Sequence, residues 1–161
     1  MKKVRSRETP IEVIREAPGF KKFRDDMKRL NADFETKLFP IFETYPIEDG
    51  MVHPAEEQIE KFIKDYDLIF RDWLEELIEQ ENEYIYDILR CVGRVIFNSE
   101  WKYDLMKIAL NSNHISIRDA AVRSFENWGG QESINILSEH REESSWLNDY
   151  IRKVIENLKE S

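Results

Sequence analysis

Few of the chain's 161 residues have the type and spacing to do chemistry. There are three histidines, at 53, 114 and 140, far apart in sequence. No Glu-x-x-His pair accompanies them, so a carboxylate-bridged metal pair of the helical-bundle kind is not expected. His140 and Glu143 lie at helical spacing, but two ligands make a poor metal site, and a surface histidine near a helix end is the expected reading. Asp65-Tyr66-Asp67 has the look of a metal-binding D-x-D, with Asp72 nearby. On a helix, however, residues two apart point to different faces and cannot chelate one ion. Cys91 sits beside the apolar positions Ile88 and Val92 with no histidine near it, which fits a buried structural thiol rather than a nucleophile. Phosphate-cradling glycine loops, G-x-S-x-G elbows and H-E-x-x-H pairs are all missing. The expectation is a chain with no catalytic residue, no metal and no cofactor.

What the sequence offers instead is charge. The formal net charge is −9, unevenly placed. Residues 1–40 hold 11 Lys and Arg against 7 Asp and Glu, whereas Glu43 to Asp87 hold 15 acidic residues against Lys61, Lys64 and Arg71. Such a surface repels a phosphate backbone, so nucleic acid is not an expected partner. It would attract a basic protein and steer that encounter at low salt. The plainer reading is a solvated acidic face that keeps the protein in solution. Asp65, Asp72, Glu76, Glu79 and Glu83 are the candidate contacts to a basic partner. Trp73, Trp101, Trp128 and Trp146 fall on or beside apolar stripes, so core packing is their default. Trp128 and Trp146, at helix ends, are the better candidates for an exposed anchor. Tyr84 and Tyr86, two apart on a helix, cannot both face a core, and Tyr86 joins the candidate set.

Helices must position these groups. Thr9-Pro10-Ile11-Glu12 has capping-box spacing, and Pro18-Gly19 would end the short helix it opens. Phe20, Phe23, Met27, Leu30, Phe34 and Leu38 form an amphipathic stripe that Pro40 should break or kink. The Tyr45–Pro54 stretch reads as the best loop in the chain. Pro54 should open the longest helix, with Ile59, Phe62, Ile63, Tyr66, Ile69, Phe70, Trp73, Leu74, Leu77 and Ile78 on one face and acids on the other. A second helix follows, capped by Asn82, with Ile85, Ile88, Leu89, Val92 and Ile96 inward. Ser99 is the expected cap of a helix carrying Trp101, Leu105, Ile108 and Ala109. Ser116-Ile117-Arg118-Asp119 resembles a capping box opening a helix that Gly129-Gly130 stops. Ile134 to Leu137 and Trp146 to Leu158 mark two more helices. No segment alternates like a strand, so the fold class is all-α. One domain is expected: an irregular part at 1–53, an acidic hairpin at 54–98, and two further hairpins at 99–161. No apolar run reaches the roughly 18 residues a membrane span needs, and the basic N-terminus lacks an apolar stretch after it. A cytoplasmic protein with no membrane partner is the expectation.

A rhythm repeats within the C-terminal part. Ile117-Arg118 is followed by Ala121 and Phe125, and 34 positions later Ile151-Arg152 is followed by Ile155 and Leu158. With Asp119-Ala120-Ala121-Val122 and Gly129, this resembles a degenerate HEAT repeat, over about residues 99–160 and reaching back toward 54. The resemblance implies stacked antiparallel hairpins, with Arg118 bonded to an Asp of the preceding turn. That turn reads Ser112-Asn113-His114, without an Asp, so the contact is either lost or taken over by Asn113. It also implies a recognition surface, and the functional expectation is a protein-binding module, most sharply an immunity or antitoxin-type protein that neutralises a basic toxin. The alternatives are a scaffold in a larger assembly or a HEAT-like enzyme of the lyase type.

Overall fold

The computed structural model describes residues 19–161, and there it is all-helical: α1 (Phe20–Thr44), α2 (Ala55–Glu79), α3 (Ile85–Val92), α4 (Trp101–Leu110), α5 (Ile115–Trp128), α6 (Gly130–Glu139) and α7 (Ser145–Glu160). The Thr9 capping box lies outside the described residues. The chain divides into two compact units, one ending at Thr36 and one running from Lys37 to Ser161, with α1 belonging to both. In the first unit, α1 carries exposed pairs of the i,i+3 and i,i+4 kind, such as Lys22–Asp26 at 3.2 Å and Arg29–Asp26 at 3.0 Å. Phe23, expected on the inward stripe, is exposed.

In the second unit, α1 does not stop at Pro40. A proline removes one N–H from the ladder, and the ladder resumes beyond it, with Tyr45 N donating to Ile41 O at 2.9 Å and Thr44 Oγ1 to Pro40 O at 3.0 Å. Phe39 stacks on Tyr84 at 4.4 Å, and Leu38 and Phe42 are buried on either side of the proline. The Tyr45–Pro54 stretch is a loop, and Pro54 stands at the N-cap of α2.

Helix α2 is not one straight rod. Asp67 has non-helical dihedrals (φ 7°, ψ −91°), which divides it into two segments. The stripe is accordingly offset there: Ile59, Phe62, Ile63, Phe70, Trp73, Leu74, Leu77 and Ile78 are buried, while Tyr66 and Ile69 are half-buried and Leu68 is exposed. The Trp101 indole N–H donates to Asp67 Oδ1 at 2.7 Å and so ties the bend to α4.

Asn82 acts as an Asx turn before α3, its Oδ1 accepting from Tyr84 N at 2.8 Å, although the N-cap position itself is Tyr84. Ile85, Ile88, Leu89 and Val92 are buried as expected, but Ile96 is 95% exposed because α3 ends at Val92 and the helical period ends with it. On α4 the inward residues are Trp101, Leu105, Met106, Ala109 and Leu110, leaving Ile108 exposed. Glu100, rather than Ser99, is its N-cap. Helix α5 starts two residues before the expected box, with His114 as N-cap, so Ser116 is intrahelical and Asp119 is buried in a side-chain network.

Helix α5 is the centre of the unit and packs against α3, α4, α6 and α7, while α2 packs against both α3 and α4. Its small inward residues Ala120, Ala121 and Ser124 let neighbours approach closely. Gly93, at the end of α3, comes so near that a Cβ there would lie 2.1 Å from Ser124 Oγ and 3.0 Å from Ser124 Cα. Gly129 and Gly130 (φ 62° and 81°) reverse the chain between α5 and α6 in a conformation other residues rarely adopt. Replacing Gly93 by Ala should lower unfolding free energy by about 1–3 kcal/mol, read from urea unfolding curves, because the clash is partly with backbone. An unchanged midpoint would mean that the two helices are free to separate there.

Candidate functional site

The acidic candidates sit on the outside of α2. Asp72, Glu76 and Glu79 recur at helical spacing and are all exposed, opposite the buried Trp73, Leu74, Leu77 and Ile78. Asp65 is exposed too, but it precedes the Asp67 bend, so it does not continue that row. Glu83 is exposed beyond the end of α2, in the turn to α3. There, burial first and then Glu43 and Glu83 raise the Tyr84 hydroxyl above its ordinary pKa. Asp72 is not solitary: Arg71 Nη2 bonds it at 2.7 Å, while Arg71 Nε lies 3.6 Å from Glu75.

The aromatic candidates part company. Trp146, at the start of α7, is 54% exposed. Trp128 is not an exposed anchor. It packs edge-on against Phe97, Tyr103 and Phe125 at 6.3, 5.6 and 6.1 Å, with Lys102 Nζ 5.0 Å over its ring. The helix end it occupies is covered by the α3–α4 connection, which the sequence pattern does not reveal. Tyr86 is half-buried, and its hydroxyl donates to Asp119 Oδ2 at 3.3 Å while accepting from Arg90 Nη1 at 2.9 Å.

That last contact belongs to a feature invisible in the sequence. A ladder of charged and phenolic groups crosses the three helices α3, α5 and α7. Arg90 on α3 donates to Asp49 Oδ1 at 2.6 Å, and Arg123 on α5 reaches the same oxygen at 3.1 Å and Asp119 Oδ2 at 3.0 Å. The Arg123 guanidinium lies 5.7 Å over the Tyr150 ring of α7, and the Tyr150 hydroxyl donates to Glu126. Burial and then the Glu126 carboxylate push the Tyr150 hydroxyl up; Arg123 and, next, Arg90 hold the Asp49 carboxyl down. Asp119 Oδ1 is buried with no hydrogen-bond donor.

Asp49 comes from the 45–54 loop, which is strapped on from several sides. Arg94 donates to Glu48 O at 2.6 Å, Met51 O at 2.7 Å and Glu56 Oε2 at 3.3 Å. His53 is buried, stacked on Phe42 at 4.8 Å; its Nδ1 accepts from Ala55 N at 3.1 Å, which leaves Nε2–H to donate to Tyr45 O at 2.9 Å. Between strap and helices lies an open cleft of about 650 Å³. Only the helical spacing of Tyr86 to Arg90 and of Asp119 to Arg123 hinted at it; Asp49 is 41 and 74 positions from its two partners.

The remaining chemical candidates are structural. His140 does not pair with Glu143: it is half-buried, and its Nε2 bonds Glu142 Oε1 at 3.0 Å. Arg118 grips both oxygens of Glu142 at 3.0 and 2.9 Å, and Ser144 N donates to it at 3.0 Å. The Arg118 Nη1 bonds the Ser112 and Asn113 carbonyls at 3.0 and 3.2 Å, so the backbone of this turn stands where an Asp would. Cys91 is buried, and burial pushes its thiol far above the range of a nucleophile. Among the described residues no three His, Cys, Asp or Glu side chains group closely enough to hold a metal ion, and no helix is long and apolar enough to cross a membrane.

Burial would raise the Glu142 carboxyl, but the hydrogen bonds from Arg118, His140 and Ser144 outweigh it and hold the group at about 2. A carboxyl lowered from 4.5 to about 2 stabilises the fold in full above pH 4.5 and loses that contribution as pH falls toward 2. Thermal unfolding between those pH values should therefore fall steeply for the wild type and more gently for Glu142→Gln. Parallel curves would show that the bridge carries none of the acid sensitivity. No family model matches the chain, and neither a curated protein nor a solved structure matches it.

Proposed function

We propose that the protein is a non-enzymatic protein-binding module of the immunity or antitoxin type, which neutralises a basic toxin through the acidic outer face of α2. The observation that carries this reading is the exposed row Asp72, Glu76 and Glu79 on a helix whose other face is wholly occupied by the core. Glu76 and Glu79 can meet a cationic surface without unpacking anything, and Asp72 can do so by exchanging its pair with Arg71. Asp65 and Glu83 extend the acidic surface on either side, and Trp146 supplies an aromatic group not needed by the core. Helix pairing supports a short HEAT-like stack: α2 meets α4, α3 meets α5, and α5 meets α7, so alternate helices contact one another. Trp128 drops out of the contact set, and Tyr86 faces the ladder rather than the row.

The test is a pull-down with the tagged full chain from its native cell lysate and with co-expressed products of adjacent genes, washed at low and high salt. One basic protein should be retained stoichiometrically, and its activity should stop when bound. Reversing Glu76 and Glu79 to Lys should weaken that complex at least about tenfold and flatten its salt dependence. Trp146→Ala should weaken it without moving the thermal midpoint. Equal low-salt affinity of the charge-reversed chain, or nothing retained at either salt, overturns the proposal.

A further inference from the structure

We propose that the cleft under the 45–54 loop is a carboxylate-recognition site, whose resting occupant is the chain's own Asp49 and whose ligand is a carboxylate attached to an apolar body. It is a surface separate from the acidic row of α2 and does not depend on that reading.

Three arginines converge there, and they are not equivalent. Arg94 is committed to Glu56 and to two loop carbonyls, and Arg123 shares Asp119 as well as Asp49. Arg90 is the exception. Its side chain is only 8% exposed, and its partners are the Tyr86 hydroxyl and Asp49. A buried guanidinium requires an anion, because its desolvation is large and a neutral hydroxyl compensates little of it. The anion it has is the carboxylate of one loop residue. The Asp49 side chain is 74% exposed and sits beside Gly50 (φ 77°), whose surroundings are open. One oxygen, Oδ1, takes both arginines. Arg90 is therefore fixed and buried, with the Arg123 guanidinium 32% exposed beside it, while the carboxylate between them is accessible from the solvent side.

The rim defines the rest of the ligand. Met51, Val52 and Ile96 line the same cleft and are all strongly exposed. Isolated exposed apolar residues are ordinary, but three around one charged cleft make a contiguous apolar edge. Glu56 and Glu126 line the cleft too, but Glu56 is taken by Arg94 and Glu126 by the Tyr150 hydroxyl, so between Arg90 and Arg123 charge complementarity favours an anionic ligand. A ligand that places a carboxylate where Asp49 sits and lays an aliphatic group over this edge satisfies both features. A peptide's C-terminal carboxylate with an apolar side chain, or an acidic side chain followed by apolar ones, carries that chemistry. Because Asp49 is tethered, it competes at a local concentration in the millimolar range, and a ligand must displace it.

The probes are hexanoate, its neutral analogue hexanamide, and inorganic phosphate, titrated into the full chain while backbone amides are followed by NMR. Hexanoate should shift the amides of Asp49, Gly50 and Arg90 in the wild type, and should bind Asp49→Asn about tenfold more tightly, since the internal competitor is gone. Arg123→Gln should lose the response while keeping a folded spectrum. Hexanamide should give none. Should Asp49→Asn fail to fold, the wild-type arms decide by themselves through the hexanoate-specific shifts at Asp49 and Gly50. Equal response to hexanamide, no gain in Asp49→Asn, an undiminished response in Arg123→Gln, or a preference for phosphate over hexanoate would each overturn the proposal.

Discussion

The Arg118 guanidinium sets the arrangement of the C-terminal helices. It is buried at the start of α5, and the partners of its guanidinium lie in turns. Nη1 takes the carbonyls of Ser112 and Asn113 in the α4–α5 turn, while Nε and Nη2 take Glu142 in the α6–α7 turn. Glu142, 1% exposed, is satisfied on both oxygens, by Arg118 and His140 on one and by Arg118 and Ser144 on the other. A buried pair of this kind is tolerated only when every donor and acceptor is used, and removing one partner costs about 3–5 kcal/mol. The result is that two successive inter-helix turns share one fastening. Helices α4 to α7 cannot slide along one another without breaking several charge-assisted bonds together.

With α5 held in this way, the close approach at Gly93 and Ser124 brings α3 alongside it, and the ladder from Arg90 to Tyr150 becomes geometrically possible. The loop before α2 follows from the ladder rather than from its own sequence. Its carbonyls are bonded by Arg94 and its carboxylate by Arg90 and Arg123, so the shape of residues 48–51 is dictated by helices that come later in the chain. A loop bonded by side chains from α3 and α5 forms only after those helices have packed.

Much of this was legible in the residues, and the failures share one cause. Helical period and punctuation located α2 to α7 and most of their buried positions, because burial of one face is a local pattern. Proline at 40 and isoleucine at 96 misled for complementary reasons. Pro40 does not break α1, which runs on to Thr44, and α3 ends at Val92, before its period reaches Ile96. Trp128 read as a helix-end residue open to solvent, but Phe97 and Tyr103, from the α3–α4 connection and α4, cover it. Of the arginine cleft only the i,i+4 pairs Tyr86–Arg90 and Asp119–Arg123 are local, since Asp49 and Arg123 are separated by 74 positions and nothing near either one announces the other. The family resemblance located Arg118 as a turn-binding arginine, while its acid partner comes from the next turn along.

The chain's acids divide into two populations with different physics. On the outer face of α2, like charges a turn apart repel, each pair costing a few tenths of a kcal/mol, and solvent screens them. At Asp49, Glu56 and Glu142 the carboxylate is placed against a guanidinium, and the pairing lowers the Asp49 and Glu142 carboxyls below their ordinary values. The net charge of −9 is thus a property of the outside, not of the network that organises the second unit. Added salt should weaken anything that meets the acidic row far more than it loosens the buried Arg118 bridge, because a pair out of solvent is screened little. A partner bound through α2 could then be released by ionic strength while the scaffold presenting the acids stays folded, which is the behaviour a separable electrostatic capture surface requires.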